Sequence, residues 1–317
     1  MYGYFFFYFV VVLLDCIGGF MGNINFIVDK DKCIHCGMCE RDCISKIINL
    51  NTDRIPEIAP EDENFCLKCQ HCLAICPVGA ISILGKEPQN SSTCDKLPTD
   101  SQLLNLIQSR RSIRNYKQEN LPADVMQKLK NMLKYCPTGC NNHSMHFSII
   151  DDIEVMDRFR NRTNNKLKKI FMNSGNSFIT NKFKRYKDAI INGEDVIYRN
   201  APHLIVVSSP LSAPCVNEDG IIALSYLELY AKSLGIGTCW CGFAQICIKL
   251  FPELCEFLEI PDGYKPVYTM LLGPTDTTYP RTVQPEEVDI TTVKGDKDVD
   301  NLSIVKKVRR LFWNAIR

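Results

Sequence analysis

The 317-residue chain carries almost no net charge: 37 Lys and Arg against 36 Asp and Glu leave +1. No whole-molecule field exists to draw in nucleic acid or an acidic membrane, so either partner would need a local patch. The apolar run Tyr4 to Leu14 has eleven residues, well short of the roughly 20 that a membrane-crossing helix requires. No Lys or Arg precedes that run, so the positive flank of a signal peptide is missing as well. A dinucleotide fingerprint is also lacking. Gly235-Ile236-Gly237 is a fragment of one that follows a helical pattern rather than a strand, and it gives no support to a Rossmann site for NAD.

What the chain has in abundance is cysteine. With 45% hydrophobic and 23% charged residues it has the composition of a soluble globular protein, yet it holds 17 cysteines, eight of them in two tight groups between Cys33 and Cys76. Secreted disulfide scaffolds are short and spread their cysteines, so the grouping argues for metal in a reducing compartment. A cytoplasmic location is expected, with anchoring through residues 4–14 as the lesser alternative. Met21 opens the segment leading into the first group and is the expected natural start. Myristoylation at Gly22 is disfavoured, because Phe26 stands where the motif wants Ser or Thr.

The first group reads Cys33-x2-Cys36-x2-Cys39-x3-Cys43 and the second Cys66-x2-Cys69-x2-Cys72-x3-Cys76-Pro77. Three cysteines at x2 intervals on a tight loop can reach three corners of one cubane, while the fourth lies a turn away and faces the other. This is the bacterial ferredoxin run, in which the fourth cysteine of each motif ligates the other cluster. It predicts Cys33, Cys36, Cys39 and Cys76 for one [4Fe-4S] cluster and Cys66, Cys69, Cys72 and Cys43 for the second. Zinc through four thiolates is the alternative, but a triple x2 run with an x3 fourth member, occurring twice, suits tetrahedral zinc poorly. Residues 26–85 resemble a two-cluster bacterial-type ferredoxin. One departure is Ile44, where that family usually has proline; no ligand is lost by it.

Lys86 to Asp100 is polar, carries two prolines and shows no apolar periodicity. The expected organisation is therefore an apolar segment 1–21, a cluster domain 22–87, a linker 88–100 and a second domain 101–317. In the second domain Ser101 is expected to cap a helix to Gln108, and Pro122 to open another to Tyr135. Met145–Ile150, His203–Ser208 and Lys265–Leu272 read as strands, and Glu218–Leu234 as a long apolar helix ended by Gly235. Helices and strands without regular βαβ spacing indicate an α+β fold.

Arg110-Arg111-Ser112-Ile113-Arg114 offers three guanidiniums and a hydroxyl, a set able to grip phosphate, although short basic runs are more often solvated faces. It is followed by Pro137-Thr138-Gly139-Cys140-Asn141 before a strand, by Gly235-Ile-Gly-Thr-Cys-Trp-Cys-Gly-Phe243, and by Tyr279-Pro280-Arg281. On these motifs residues 101–290 resemble the FMN-dependent nitroreductase family. With the cysteine segment in front, the chain is similar to ferredoxin-nitroreductase fusions. The resemblance implies that Arg110, Arg111, Ser112 and Arg114 serve the flavin phosphate and pyrimidine edge, and that Asn141 contacts the flavin. It also places the Cys241 and Gly242 amides facing flavin N5 and O4, and makes Arg281, loosely, a second phosphate ligand. His143 stands where many members have glutamine and Pro285 where many have a late arginine.

Arg158 to Lys187 holds ten basic and no acidic residues, whereas residues 22–90 hold seven basic and ten acidic. A basic lid drawn to the acidic cluster domain or an acidic carrier is one reading, and a solvated mobile insertion the blander one. The basic, amphipathic stretch Lys306 to Trp313 is expected to wrap a subunit, and most of the nine remaining cysteines to act as small buried hydrophobes. The expected function is an iron-sulfur flavoprotein oxidoreductase passing electrons through two [4Fe-4S] clusters and FMN to a nitroaromatic or quinone. NAD(P)H or a carrier protein is the expected donor, the resemblance implies a homodimer, and no nucleic-acid partner is expected because no aromatic interleaving or known module accompanies the basic stretch. An electron-carrier or redox-sensing module, and reductive dehalogenation on the same fold, are the rivals. No residue is singled out as a general acid.

Overall fold

A computed structural model describes residues 23–173 and 182–295. The expectations for Tyr4–Leu14, Met21, Gly22 and Lys306–Trp313 lie outside the described residues. The chain divides into two compact units, one through Arg281 and one from Thr282. In the second unit, residues 282–295, Pro285 among them, are exposed chain without regular structure.

The cysteine-rich segment is built as a repeat in which each structural position recurs 33 residues later. Helix α1 (Met38–Asp42) recurs as α2 (His71–Ile75), each preceded by a residue in left-handed conformation, Gly37 at φ 69° and Gln70 at φ 60°. His35 and Lys68 repeat the same conformation at φ 57° and 54°. The hydrogen bond Arg41 N–H to Gly37 O recurs as Ala74 N–H to Gln70 O, and that from Lys46 N–H to Cys43 O recurs as Gly79 N–H to Cys76 O. Left-handed bends cost non-glycine residues about 1–2 kcal/mol each. Here they curl each loop so that its thiols turn to one side. Two antiparallel pairs close the segment: Ile27–Val28 (β1) with Ile81–Ser82 (β4), and Ile48–Leu50 (β2) with Pro56–Ile58 (β3). Its core is small, with Ile47, Ile48 and Ile81 in one cluster and Ile24, Leu73 and Ile83 in another.

The rest of the first unit has one antiparallel sheet in the order β5-β6-β8-β7, formed by His146–Ile150, His203–Pro210, Tyr264–Gly273 and Gly237–Trp240 respectively. Along β6, Leu204 and Val206 face one apolar cluster while Ile205 and Val207 face another; β8 splits likewise, Leu271 to the first and Met270 and Leu272 to the second. With helices over both faces, β6 is buried through seven of its eight residues, and its middle, Leu204 to Val207, reads as an apolar run without alternation. One face carries α4 (Ala123–Met132) and α7 (Glu218–Ser233). The other carries α5 (Ile153–Asn173), α6 (Lys187–Ile191), α8 (Gly242–Leu250) and α9 (Pro252–Phe257). Phe159 and Leu167 of α5 are fully buried, each contributing about 1.5–3 kcal/mol. Gly220 lets α7 lie close on the sheet, since a Cβ there would sit 2.8 Å from a Val267 methyl.

The structure is α+β as expected, with local corrections. Helix α3 (Asp100–Ser109) is capped by Thr99 rather than Ser101: Gln102 N–H donates to Thr99 Oγ1 at 3.3 Å and Thr99 N–H to Gln102 Oε1 at 3.0 Å. The segment after Gly235, read as a broken fingerprint, is strand β7. Much of the basic stretch, up to Asn173, is α5, packed on the core rather than forming a mobile insertion. Arg160 is buried there, its Nε 2.8 Å from Asp195 and its Nη2 donating to Ala201 O. Lys166 pairs with Glu253. Cys136, Cys239, Cys241 and Cys247 are buried as expected, whereas Cys94 is exposed. Among the described residues no helix is long and apolar enough to cross a membrane.

Candidate functional site

The crossed arrangement of the repeat gathers the eight cysteines into two cavities. Cys33, Cys36, Cys39 and Cys76 line one, together with Gly37, Arg54 and Ala80. Cys43, Cys66, Cys69 and Cys72 line the other, with Ile44, Ile48 and Leu67. Each fourth cysteine thus stands with the opposite motif, the grouping that the spacing predicts. Burial pushes the Cys39 and Cys66 thiols up and Cys72 up to about 12, so a bound cationic centre is what would make thiolates of them. Among the described residues no group of three or more His, Cys, Asp or Glu side chains is arranged to hold a single metal ion. Backbone amides already point at sulfur, Lys68 N–H to Cys66 Sγ at 3.4 Å and Ala80 N–H to Cys76 Sγ at 3.2 Å. Such bonds help to set a cluster's potential.

In the larger domain the arginine motif is stitched along β7. Ser112 forms a parallel bridge with Thr238, and Ile113 N–H donates to Thr238 O at 2.8 Å. Gly237 permits that approach, since a Cβ there would lie 2.9 Å from an Ile113 methyl. Ser112 and Arg114 thereby reach Cys239, whose thiol is raised by burial and drawn back by the Arg114 and Arg199 charges and a Ser112 hydrogen bond. Arg110 and Arg111 line a cavity with Lys232, Gly235, Gly237, Thr238, Thr275, Thr277, Thr278 and Tyr279. Arg110 is oriented from behind: its Nη1 lies 2.9 Å from Oε1 of the buried Glu228, whose Oε2 accepts from Trp240 Nε1 at 3.0 Å.

Lys232 and the threonines escaped sequence reasoning. A lysine in the last turn of an apolar helix looks like ordinary end-charge placement. Arg281 is not among the residues lining this cavity, and it is exposed. The resemblance gives it only loosely as a second phosphate ligand; Lys232 is a cation that the fold brings to the same cavity as Arg110 and Arg111.

The Cys241 and Gly242 amides differ in their surroundings. Cys241 N–H donates to Thr269 O at 3.1 Å, and Thr269 Oγ1 returns a bond to Cys241 O at 2.7 Å, so that amide is spent inside the sheet. Gly242 is the first residue of α8, where an N–H has no partner within its own helix. The Cys241 thiol points inward, donating to Ile197 O at 3.2 Å, and burial lifts it to about 12; it is inert as a nucleophile.

Asn141 lies in a loop held in strained conformation, with Cys140, Asn141 and His143 all left-handed. Asp219, buried at the start of α7, accepts Gly139 N–H at 2.9 Å, and Thr138 Oγ1 accepts His143 N–H at 3.0 Å. Asn141 Oδ1 meets His143 Nε2 at 2.9 Å, while its Nδ2 donates to Leu67 O at 3.0 Å. Leu67 lies between Cys66 and Cys69. A loop of the larger domain therefore touches a cysteine loop of the smaller one.

The nitroreductase family model matches residues 107–274, more than half the chain. The chain belongs to the nitroreductase family. A 4Fe-4S dicluster domain model matches residues 32–80, so the nitroreductase domain follows a ferredoxin-type domain in one polypeptide. The cluster segment is 32% identical over 66 residues to a ferredoxin of Methanocaldococcus jannaschii, covering 86% of that protein and 21% of this chain. The nitroreductase domain is 26% identical over 138 residues to an iodotyrosine deiodinase of Thermotoga neapolitana, 71% of that protein and 43% of this chain. Its fold matches a solved nitroreductase with bound FMN from Bacteroides fragilis at a TM-score of 0.50 and 23% identity, covering 98% of that chain and 61% of this one.

Proposed function

We propose that the protein is an iron-sulfur flavoprotein oxidoreductase that receives electrons through two cysteine-bound [4Fe-4S] clusters and delivers them, at an FMN, to a small organic acceptor such as a nitroaromatic or quinone. The observation that carries this reading is the contact of Asn141, in the nitroreductase domain, with the Leu67 carbonyl between two candidate cluster ligands. When bound, the clusters supply one-electron carriage and the flavin a junction between single electrons and pairs.

The chain's own residues supply the rest. Cys33, Cys36, Cys39 and Cys76 would hold one cluster and Cys43, Cys66, Cys69 and Cys72 the other. Arg110, Arg111 and Lys232 line a cavity suited to a phosphate, with the hydroxyls of Thr277 and Thr278 as further donors, while that of Thr275 is spent on Asn115 O. By the family resemblance, Ser112, Arg114 and the Gly242 amide would serve the ring's polar edge. The donor is an electron-carrier protein at the clusters or, entering at the flavin instead, NAD(P)H.

Exposed apolar side chains on two adjoining helices, Leu103, Leu104 and Ile107 on α3 and Ile221, Ile222 and Tyr226 on α7, support a homodimer. The match to an iodotyrosine deiodinase keeps reductive dehalogenation as a second reading of the same site. An anoxic preparation analysed for iron, sulfide and FMN, then mixed with reduced carrier or NAD(P)H and offered a nitrophenol or an iodophenol, tests both. Turnover of neither acceptor, or absence of flavin, would sink the enzyme reading.

A further inference from the structure

The 33-residue repeat makes two loops that are equivalent in backbone, Cys33-Ile34-His35-Cys36 and Cys66-Leu67-Lys68-Cys69, with matching left-handed residues at His35 and Lys68. Their surroundings differ. Ile34 is 56% exposed and Cys36 is exposed, whereas Leu67 and Cys69 are both partly covered. The carbonyl of Leu67 accepts from Asn141 at 3.0 Å. In the first loop the carbonyl of His35 accepts from Arg54, a residue of the same small domain. Two loops of one shape thus have different neighbours, one across the domain boundary and one within its own repeat.

We infer that the two cluster sites act in a fixed order. The site of Cys43, Cys66, Cys69 and Cys72 adjoins the nitroreductase domain and hands electrons to it, while the site of Cys33, Cys36, Cys39 and Cys76 is the outward one that accepts them from an external one-electron donor. The inference rests on the function proposed above and adds a direction to it. Each transfer moves one electron: the donor is oxidised as the outer site is reduced, and the outer site is reoxidised as the inner one is reduced. No bond is made or broken at the loops. Asn141 is a positioning residue here, because it fixes the loop between two ligands against the domain that holds the acceptor.

A matched pair of substitutions at equivalent repeat positions, Ile34→Glu and Leu67→Glu, tests this in the full-length holoprotein at wild-type iron and sulfide content. In Leu67→Glu the acceptor carbonyl remains, but the charged side chain beside it displaces the loop from Asn141, and amide exchange of residues 138–145 rises by up to about tenfold, the factor that one net hydrogen bond is worth. Bleaching of the flavin band after mixing with reduced methyl viologen slows, while cluster bleaching does not. In Ile34→Glu both the exchange and the step from clusters to flavin stay at wild-type values. Should Leu67→Glu lose iron, Asn141→Ala deletes the donor of the hydrogen bond itself and raises exchange at residues 66–70. Equal responses of the two loops, or loosening of 138–145 by Ile34→Glu alone, would overturn the order. A preparation without flavin would overturn the function instead, and the exchange readout would still decide which loop faces the larger domain.

Discussion

Asp219 shows how one side chain can hold a loop in place. Burial raises its pKa above the ordinary carboxylate value, yet its carboxylate accepts the Gly139 amide at the entrance to a segment with three left-handed residues. Asp219→Ala strands that amide and costs about 1–3 kcal/mol, whereas Asp219→Asn keeps an acceptor oxygen and loses less; urea unfolding of the two variants measures the difference. His203 works by staying neutral. Its Nε2 accepts Leu121 N–H at 2.9 Å in the core, and burial lowers its affinity for a proton below the ordinary value of 6.5. As pH falls through 6.5 the unfolded chain takes up a proton that the folded one refuses, so this contribution to stability is complete above 6.5 and is lost progressively below it. The expected outcome is a melting temperature that drops between pH 7.5 and 5.5 less steeply in His203→Gln than in the wild type.

At the scale of elements, the repeat offers an internal control. Gln70 occupies the left-handed position that Gly37 occupies in the other half. Gln70→Gly is expected to stabilise the cluster domain by about 0.5–1 kcal/mol, read as slower loss of iron to a chelator, because glycine carries no Cβ penalty there. Much of this element was legible beforehand. The cysteine spacing alone forecast which thiols share a cavity, since a repeat that swaps its last ligand has few ways to close. Strands β6 and β8 were equally legible from their apolar runs. Strand β7 was not: it is four residues long, begins with glycine, and declares itself only by pairing with β8 and Ser112. The basic stretch misled because its charges mask a helical stripe of Met156, Phe159, Leu167 and Phe171 that contact with the core makes plain.

For the whole molecule, the sequence held the parts of the candidate site but not their assembly. Arg110 and Arg111 stood out as a motif, whereas Lys232 lines the same cavity only because α7 ends where the motif passes, and Arg281 is not among that cavity's lining residues. The apolar faces of α3 and α7 raise a question that chain patterning cannot answer, namely what covers them. A second copy of the chain is the expected answer. Leu104→Glu should shift the sedimentation coefficient from dimer to monomer, with iron content unchanged because the cluster cavities lie in the other domain.

The stitching of Ser112 to Thr238 also sets a timetable for biosynthesis. All eight cluster cysteines leave the ribosome within one short early stretch, and their fold closes on itself once Ser82 has emerged to pair with Ile27. The arginine motif must wait for a strand more than a hundred residues downstream. A nascent chain can therefore be furnished with inorganic cofactor while its nucleotide pocket does not yet exist. Arrested translation short of Gly237 should yield a product that is brown but never yellow.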